Sequence, residues 1–352
     1  MYRLRPCHPN DLPELLALSA QTGAGMTSMP YNPEFWEARI KAVQQSFSSA
    51  PPKEGQYFLV LESTKHKGLL GTTAVYTGVA QDQPFYVFKL THDHRAFDGL
   101  EGLELSQQHT YLERVAEYQG ASEIGSLFLH PSYRQPGIGL FMSRARFLMM
   151  ADAPERFGSR IFAELRGWLT PEGRSPMWDA LGHKLLNISF DQAVHYTAQS
   201  GMSFMDEMLP HHPICLDLLP EAAKAVVGKP HDASAPALSM LLKEGFESTG
   251  LVDLFDAGPH VECAPSKIRT VQESRVHKLI VGPDQHTSEC DDLFMISNGI
   301  IENLTIGLVP AKVTAPNCVR ISQESADYLN LSEGQSVRVA PLKRPKALAG
   351  AA

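Results

Sequence analysis

The sequence predicts an α+β protein: a mixed sheet with flanking helices, followed by a small β-rich C-terminal subdomain. Three observations predict it. Over the first 260 residues, apolar runs of strand length alternate with stretches of helical spacing. Ile138, Phe141, Met142, Ala145, Leu148 and Met149 place apolar side chains on one face of a helix. From about Cys263 the texture changes to short β-rich runs.

Residues 2–6 read as a strand, and Asn10-Asp11 stands where an N-cap belongs, ahead of the helical spacing of Leu12, Leu15, Leu16 and Leu18. Thr22 to Pro30 is a Gly-rich loop, and a second helix is expected from Pro33 to Phe47 with Phe35, Ile40 and Val43 buried. Tyr57–Leu61 and Gly71–Tyr76, joined by a polar turn, pair most simply as an antiparallel hairpin. Residues 84–120 keep no single period, although Phe85–Leu90 is strand-like. Ile124–Leu129 is a strand, 138–149 the amphipathic helix, Ile161–Arg166 a strand and Pro176–Leu186 a helix. Pro236–Glu244 is a short helix stopped by Gly245, with an extended stretch from Phe246 to Phe255. The expected division is therefore 1–262, with an internal boundary near residue 190, then 263–340, then a mobile tail at 341–352. The segments 176–190 and 236–246 share a helix-then-strand texture that hints at a duplication.

Composition narrows the function. The net charge of −8 over 352 residues argues against a phosphate-tracking nucleic-acid surface, which needs surplus Lys and Arg. Cys7, Cys215, Cys263, Cys290 and Cys318 form no C-x-x-C pair, so no disulfide framework or structural zinc site is expected, and the setting reads as a reducing cytoplasm. No apolar run is long enough to span a membrane. His92-Asp-His94 lacks a third clustered ligand, so no metal is expected; His211-His212 reads as a loop between prolines. Gly-x-Ser-x-Gly, Walker and His-Glu-x-x-His patterns are absent.

The chemistry concentrates where the strand ending in Leu127-Phe-Leu129 runs into Arg134-Gln135-Pro-Gly137-Ile138-Gly139 and directly into a helix. Main-chain N–H groups at a helix start, with no side chain in the way at the glycines, suit phosphate oxygens. A tight strand-to-helix turn with no ligand would use the same glycines, but Arg134 at this offset favours a pyrophosphate. Glu164 and Arg166 sit two apart on one expected strand and point to the same face, as substrate-binding residues, a buried structural ion pair or solvent-facing charges.

This arrangement resembles the GNAT superfamily of acyl-CoA N-acyltransferases, in which Arg-x-x-Gly-x-Gly holds the coenzyme A pyrophosphate. A closer resemblance, to the arginine N-succinyltransferase family, covers nearly the whole chain. It rests on Thr22-Gly-x-Gly-x-Thr-Ser-x-Pro30, Leu127-Phe-Leu, Ser143-x-x-Arg146-Phe, Glu164-Leu-Arg-Gly167, Ser175-Pro-Met-Trp178-x-x-Leu-Gly182, Glu207-Met-Leu-Pro210-x-His-Pro-Ile214 and Asp253-Leu-Phe-Asp256-Ala-Gly-Pro259. The resemblance implies succinyl transfer from succinyl-CoA, as a co-substrate and not a resident cofactor, to the α-amino group of L-arginine, with ornithine accepted by related subunits. It implies His231 as the catalytic proton donor or acid/base and Leu127 as a succinyl-CoA contact. Glu123 is an alternative base by superfamily analogy. The family usually has Pro at Asp232, often an acid at His130 and often Gly at Ala257; Asp232 is expected to raise the His231 pKa. Implied partners are the two small substrates and an oligomer, with a paralogous subunit as one form. Alternatives are an N-acyltransferase of different acyl or amine choice, and a noncatalytic acyl-CoA-binding subunit.

Overall fold

The computed structural model describes residues 1–22, 26–100, 103–200, 203–282 and 293–343. Its strands are β1 (Tyr2–Pro6), β2 (Gln56–Ser63), β3 (Gly71–Tyr76), β4 (Phe85–Leu100), β5 (Leu103–Glu117), β6 (Ser122–Leu129), β7 (Ile161–Glu164), β8 (Ile214–Cys215), β9 (Glu247–Val252), β10 (Pro259–Cys263), β11 (Arg275–Gly282), β12 (Leu293–Ser297), β13 (Ile306–Pro310), β14 (Lys312–Ala315), β15 (Cys318–Ser322) and β16 (Ser336–Pro341). Its α-helices are α1 (Leu12–Ser19), α2 (Pro33–Ser46), α3 (Ile138–Asp152), α4 (His183–Leu186), α5 (Phe190–Ser200), α6 (Ser203–Met208), α7 (Glu221–Lys224), α8 (Ala235–Lys243), α9 (Arg269–Glu273) and α10 (Gln323–Leu329). No helix among the described residues is long and apolar enough to cross a membrane.

Two compact units result, each built from separate stretches of chain: residues 1–78, 122–161 and 264 onward form the first, and residues 79–121 and 162–263 the second. This differs from the expected boundary at 262/263. The C-terminal strands are no separate subdomain, because β13 pairs antiparallel with β1 and so continues the N-terminal sheet. Residue 190 lies inside the second unit and is no boundary. The hint of duplication also fails at 176–190: Trp178–Gly182 is a wide π-helical turn and Phe190 opens α5 in place of a strand.

In the first unit the strand order is β14-β15-β11-β16-β12-β13-β1-β2-β3-β6. The period-2 pattern of β1 puts Arg3 and Arg5 on one face, where both bind Glu62 of β2. Arg5 also grips Asp11 through two bonds of 2.7 and 2.9 Å, so the Asp11 carboxylate clamps β1 and does not cap α1. In α2 the deeply buried aromatic is Trp36, with Phe35 only half-buried, because the Trp36 indole N–H reaches Ser19 Oγ and Pro30 O. Helix α3 is buried far beyond one face: it packs on β3 and β6 and also on α9 and β12, which encloses even Ser143, Arg144 and Arg146. Arg144 spends its donors on Thr270 Oγ1 and the carbonyls of Pro341 and Leu342. The start of the expected tail is thereby fixed at 341–343; residues 344–352 lie outside the described residues, as do Gly23 to Gly25 of the Gly-rich loop.

In the second unit the order is β7-β10-β9-β4-β5-β8. The region without a clear period is a long antiparallel ribbon, β4 with β5, in register from Phe85↔Glu117. Its residues 91–96 are exposed or half-exposed on both faces, so no apolar alternation marks them. A core of Phe88, Leu112, Met177, Trp178, Val252 and Phe255 binds the ribbon to the helical segment. β7 stops at Glu164, two residues short of the expected strand.

Candidate active site

In the first unit, β6 carries an extra residue relative to β3: Ala74 faces Gly125 while Thr72 faces Phe128, and Ser126 takes φ +49°. Such a bulge bends a strand and re-aims side chains. Leu127 sits in it, half-buried, with Leu129 two residues on. The chain then turns through Pro131–Tyr133, capped by Ser132 N–H donating to His130 Nδ1 at 3.2 Å. Arg134, exposed, folds its Nε back onto Leu129 O at 3.3 Å. Gly137 enters α3 with φ +95°, a conformation L side chains rarely adopt. Ile138 buries its side chain and donates to Gln135 O, and Phe141 donates to Gly137 O. The Gly139 and Leu140 N–H groups have no acceptor among the described residues, and a Cβ at Gly139 would meet nothing within 4 Å. Two open donors at the positive end of a long helix suit an anion.

The same strand brings up Glu123. Its carboxylate lies over Gly125 beside the Tyr76 ring, and burial pushes its pKa up to about 7 against the lowering pull of Arg39. Tyr76 Oη and Ser126 Oγ are 2.6 Å apart, and Ser126 Oγ donates to Ser28 Oγ at 2.9 Å.

In the second unit, residues 166–168 and 229–231 form a short antiparallel ribbon. His231 N–H donates to Arg166 O at 2.7 Å, Trp168 N–H donates to Lys229 O at 3.0 Å, and Gly167 faces Pro230 between them. The ribbon rests on the Asp253–Pro259 loop: Asp256 Oδ2 accepts from Gly167 N–H and Oδ1 from Gly258 N–H, both at 2.8 Å, while Asp253 Oδ1 holds the N–H groups of Phe255 and Asp256. Burial raises the pKa of both carboxyls, Asp253 well above its usual range. Ser175 donates to Phe255 O, and Trp178 stacks on Phe255 with centroids 5.4 Å apart. These family-like stretches are thus the support beneath His231. Ala257 takes φ +56°, which the family's usual glycine accommodates with less strain.

A Cβ on Gly167 would stand 2.5 Å from Asp256 O and Oδ1. Gly167→Ala is accordingly expected to lower stability by about 2–3 kcal/mol, measured as the urea midpoint, because a backbone atom blocks the methyl.

His231 is half-buried and opens a turn in which its carbonyl accepts from Ser234 N–H at 2.8 Å. Asp232 occupies the second position of that turn, where the family's proline fits by its fixed φ. Ala233 N–H donates to Nδ1 at 3.0 Å, which places the neutral ring's own proton on Nε2. Burial first, and Arg166 next, lower the His231 pKa; Asp232 and Asp256 pull upward without prevailing. Asp232 does pull the His231 pKa upward, as expected, but burial and Arg166 outweigh it, and the ring is neutral at pH 7.

Glu164 and Arg166 do not act as a pair on one strand. Glu164 ends β7 with an oxygen 3.8 Å from His260 Nε2, and burial holds His260 near pKa 4, so that histidine is neutral and the contact is no ion pair at pH 7. Arg166 lies past the strand end on the ribbon with His231. His211 Nδ1 is bound by Arg114, and His92 and His94 face Thr110 and Ser106 across the β4–β5 ribbon. The described residues do bring one set of metal-type ligands together, His109, Cys215 and Asp217 within 4.8 Å. Asp217 accepts from His109 Nδ1 at 3.1 Å and from Thr110 N–H at 3.3 Å, a clasp that ties the turn after β8 to β5.

The family model described as arginine N-succinyltransferase beta subunit matches residues 2–270. An arginine N-succinyltransferase of Yersinia pestis (strain Pestoides F) is 32% identical, covering 98% of this chain and 99% of its own. The arginine N-succinyltransferase subunit beta of Pseudomonas aeruginosa is 34% identical, covering 97% and 99%. The solved structure of arginine/ornithine succinyltransferase subunit AI from Pseudomonas aeruginosa superposes with a TM-score of 0.86 at 28% identity, covering 98% of this chain and 99% of that one. With the α+β architecture, the supporting loop beneath His231 and a match over nearly every residue, the chain belongs to the arginine N-succinyltransferase family.

Proposed function

We propose that this protein moves the succinyl group of succinyl-CoA onto the α-amino group of L-arginine, releasing CoA, as the first step of arginine catabolism by succinylation. The observation that carries the reading is the near-full-length similarity to enzymes of that name. Relatives are named as subunits, which supports action as an oligomer; succinyl-CoA and arginine as substrates support the cytoplasm.

Each residue group has a role in that reading. The Arg134–Gly139 turn takes the CoA pyrophosphate on the open N–H groups and the Arg134 guanidinium. Leu127 and Leu129 contact the acyl-CoA arm. The reaction forms a C–N bond and breaks a C–S bond, with a proton lost from nitrogen and one gained by sulfur. His231, neutral, offers its Nε2–H as a hydrogen bond that stabilises the departing thiolate, and the sulfur takes its proton from solvent. Glu123 is the base that a specific observation favours: a carboxyl half-ionised near pH 7 accepts a proton from the amine far more readily than one of ordinary acidity.

Mixing succinyl-CoA with L-arginine should release free thiol at a rate that needs both substrates and enzyme; thiol release independent of the amine would instead mean a hydrolase, and no release a mere binder. Acetyl-CoA and ornithine in the same assay separate this reading from other acyl or amine choices. Gly139→Ala gives a cleaner test of the phosphate turn. The methyl enters open space in a helix and should leave stability unchanged or raise it by about 0.5–1 kcal/mol, while weakening succinyl-CoA binding in calorimetry. Unaltered affinity would reduce the glycine to a turn-former.

A further inference from the structure

The ribbon geometry says more about Arg166. Gly167 and Pro230 form a directly opposed pair, and the bonds from His231 N–H to Arg166 O and from Trp168 N–H to Lys229 O flank it. In that antiparallel register Arg166 stands opposite His231 and Trp168 opposite Lys229, and opposed residues project their side chains on the same face. Gly167 projects to the other face, where a Cβ would strike Asp256. Of the two cations on the His231 face, Lys229 is engaged, its Nζ 4.5 Å from the Trp168 ring centre. Arg166 is not. Its guanidinium has no hydrogen bond or ion pair among the described residues, and its Nε is buried without a partner. A half-buried guanidinium with an unpartnered N–H is expensive unless something completes it, and a carboxylate matches its fork in two parallel bonds. The charge of Arg166 also reaches the ring, helping to keep His231 neutral.

We propose that Arg166 is the carboxylate-binding residue of this site, taking a substrate carboxylate on the face it shares with His231. The inference rests on the succinyl-transfer reading. Both substrates carry such a group: the far end of the succinyl chain, and the α-carboxylate of the amino acid. In either case Arg166 sets specificity by rewarding the substrate that bears the anion and leaving its buried Nε unpartnered with one that does not.

The test uses the full-length protein, wild type, Arg166→Gln and Arg166→Lys, with two substrate series followed by thiol release. The first sets succinyl-CoA against butyryl-CoA with L-arginine; the second sets L-arginine against agmatine, which lacks the carboxylate, with succinyl-CoA. Arg166→Gln should lower kcat/KM about 10- to 100-fold for the carboxylate-bearing member of one series and leave its neutral analogue nearly unchanged. The series that collapses identifies the carboxylate. Arg166→Lys, which keeps the charge but not the fork, should restore part of the loss. Equal falls for both members of both series in variants that melt like wild type would overturn the assignment, since that is what mere structural damage produces. Wild-type enzyme that transfers succinyl while Arg166→Gln keeps full discrimination removes this inference alone; wild-type enzyme that transfers none removes the reading beneath it as well.

Discussion

His231→Ala should lower turnover by about 10²–10⁴-fold while leaving succinyl-CoA affinity near wild type. The effect is confined to chemistry because the imidazole is offered from a ribbon whose main-chain bonds, His231 N–H to Arg166 O and Ser234 N–H to His231 O, do not need the side chain. His231→Gln makes the sharper comparison. It keeps an N–H donor near the Nε2 region and cannot cycle a proton, so partial activity identifies hydrogen-bond donation as the main service, and none identifies proton transfer. Single-turnover thiol release alongside calorimetric titration separates the two quantities. Near-normal turnover in His231→Ala would take the histidine out of the mechanism.

The second large effect belongs to Glu123. An acid whose pKa rises from 4.5 to about 7 on folding favours the folded state less as it ionises. Between those values the unfolded chain holds fewer protons than the folded one, so wild-type stability falls as pH rises from 4.5 through 7, and the whole cost is present at pH 8. Glu123→Gln removes that cost. The carboxyl is only half-buried by residue surface, so the expected gain, discounted for solvent screening, is about 2 kcal/mol at pH 8 and close to zero at pH 4.5. The same substitution should reduce kcat about 100-fold and abolish the rise of activity through pH 7. A stabilised and inactive protein fits the base. Full activity in Glu123→Gln would leave the raised pKa a structural accident of β6.

The sequence spoke most clearly where one face of an element is buried and the other wet. β1, β2, β3 and β6 alternate or run apolar as read, and the turn from Leu129 through Gly137 into α3 lies where its residues placed it. The β4–β5 ribbon was illegible because its 91–96 stretch is open to solvent on both faces, and α3 hid its enclosure because Ser143, Arg144 and Arg146 find partners inside. The division into units could not be read from composition: β13 joins β1 across some 300 residues of sequence through main-chain bonds, which leave no mark in side-chain pattern. At the site, His231 and Arg166 were singled out separately, and their opposition across Gly167–Pro230 came only from the fold. A Gly-x-x-His run facing an Arg-Gly run was the available signal, with both glycines placed by close approach or turn geometry.

One measurement bears on the central claim most directly. Enzyme, succinyl-CoA and L-arginine are incubated to completion and the amino-acid product is analysed by mass spectrometry and proton NMR. The account predicts one succinyl group per arginine, attached at the α-nitrogen with the guanidinium unchanged, and one free thiol per product formed. Unmodified arginine with intact thioester, or a product acylated on the guanidinium, would contradict it.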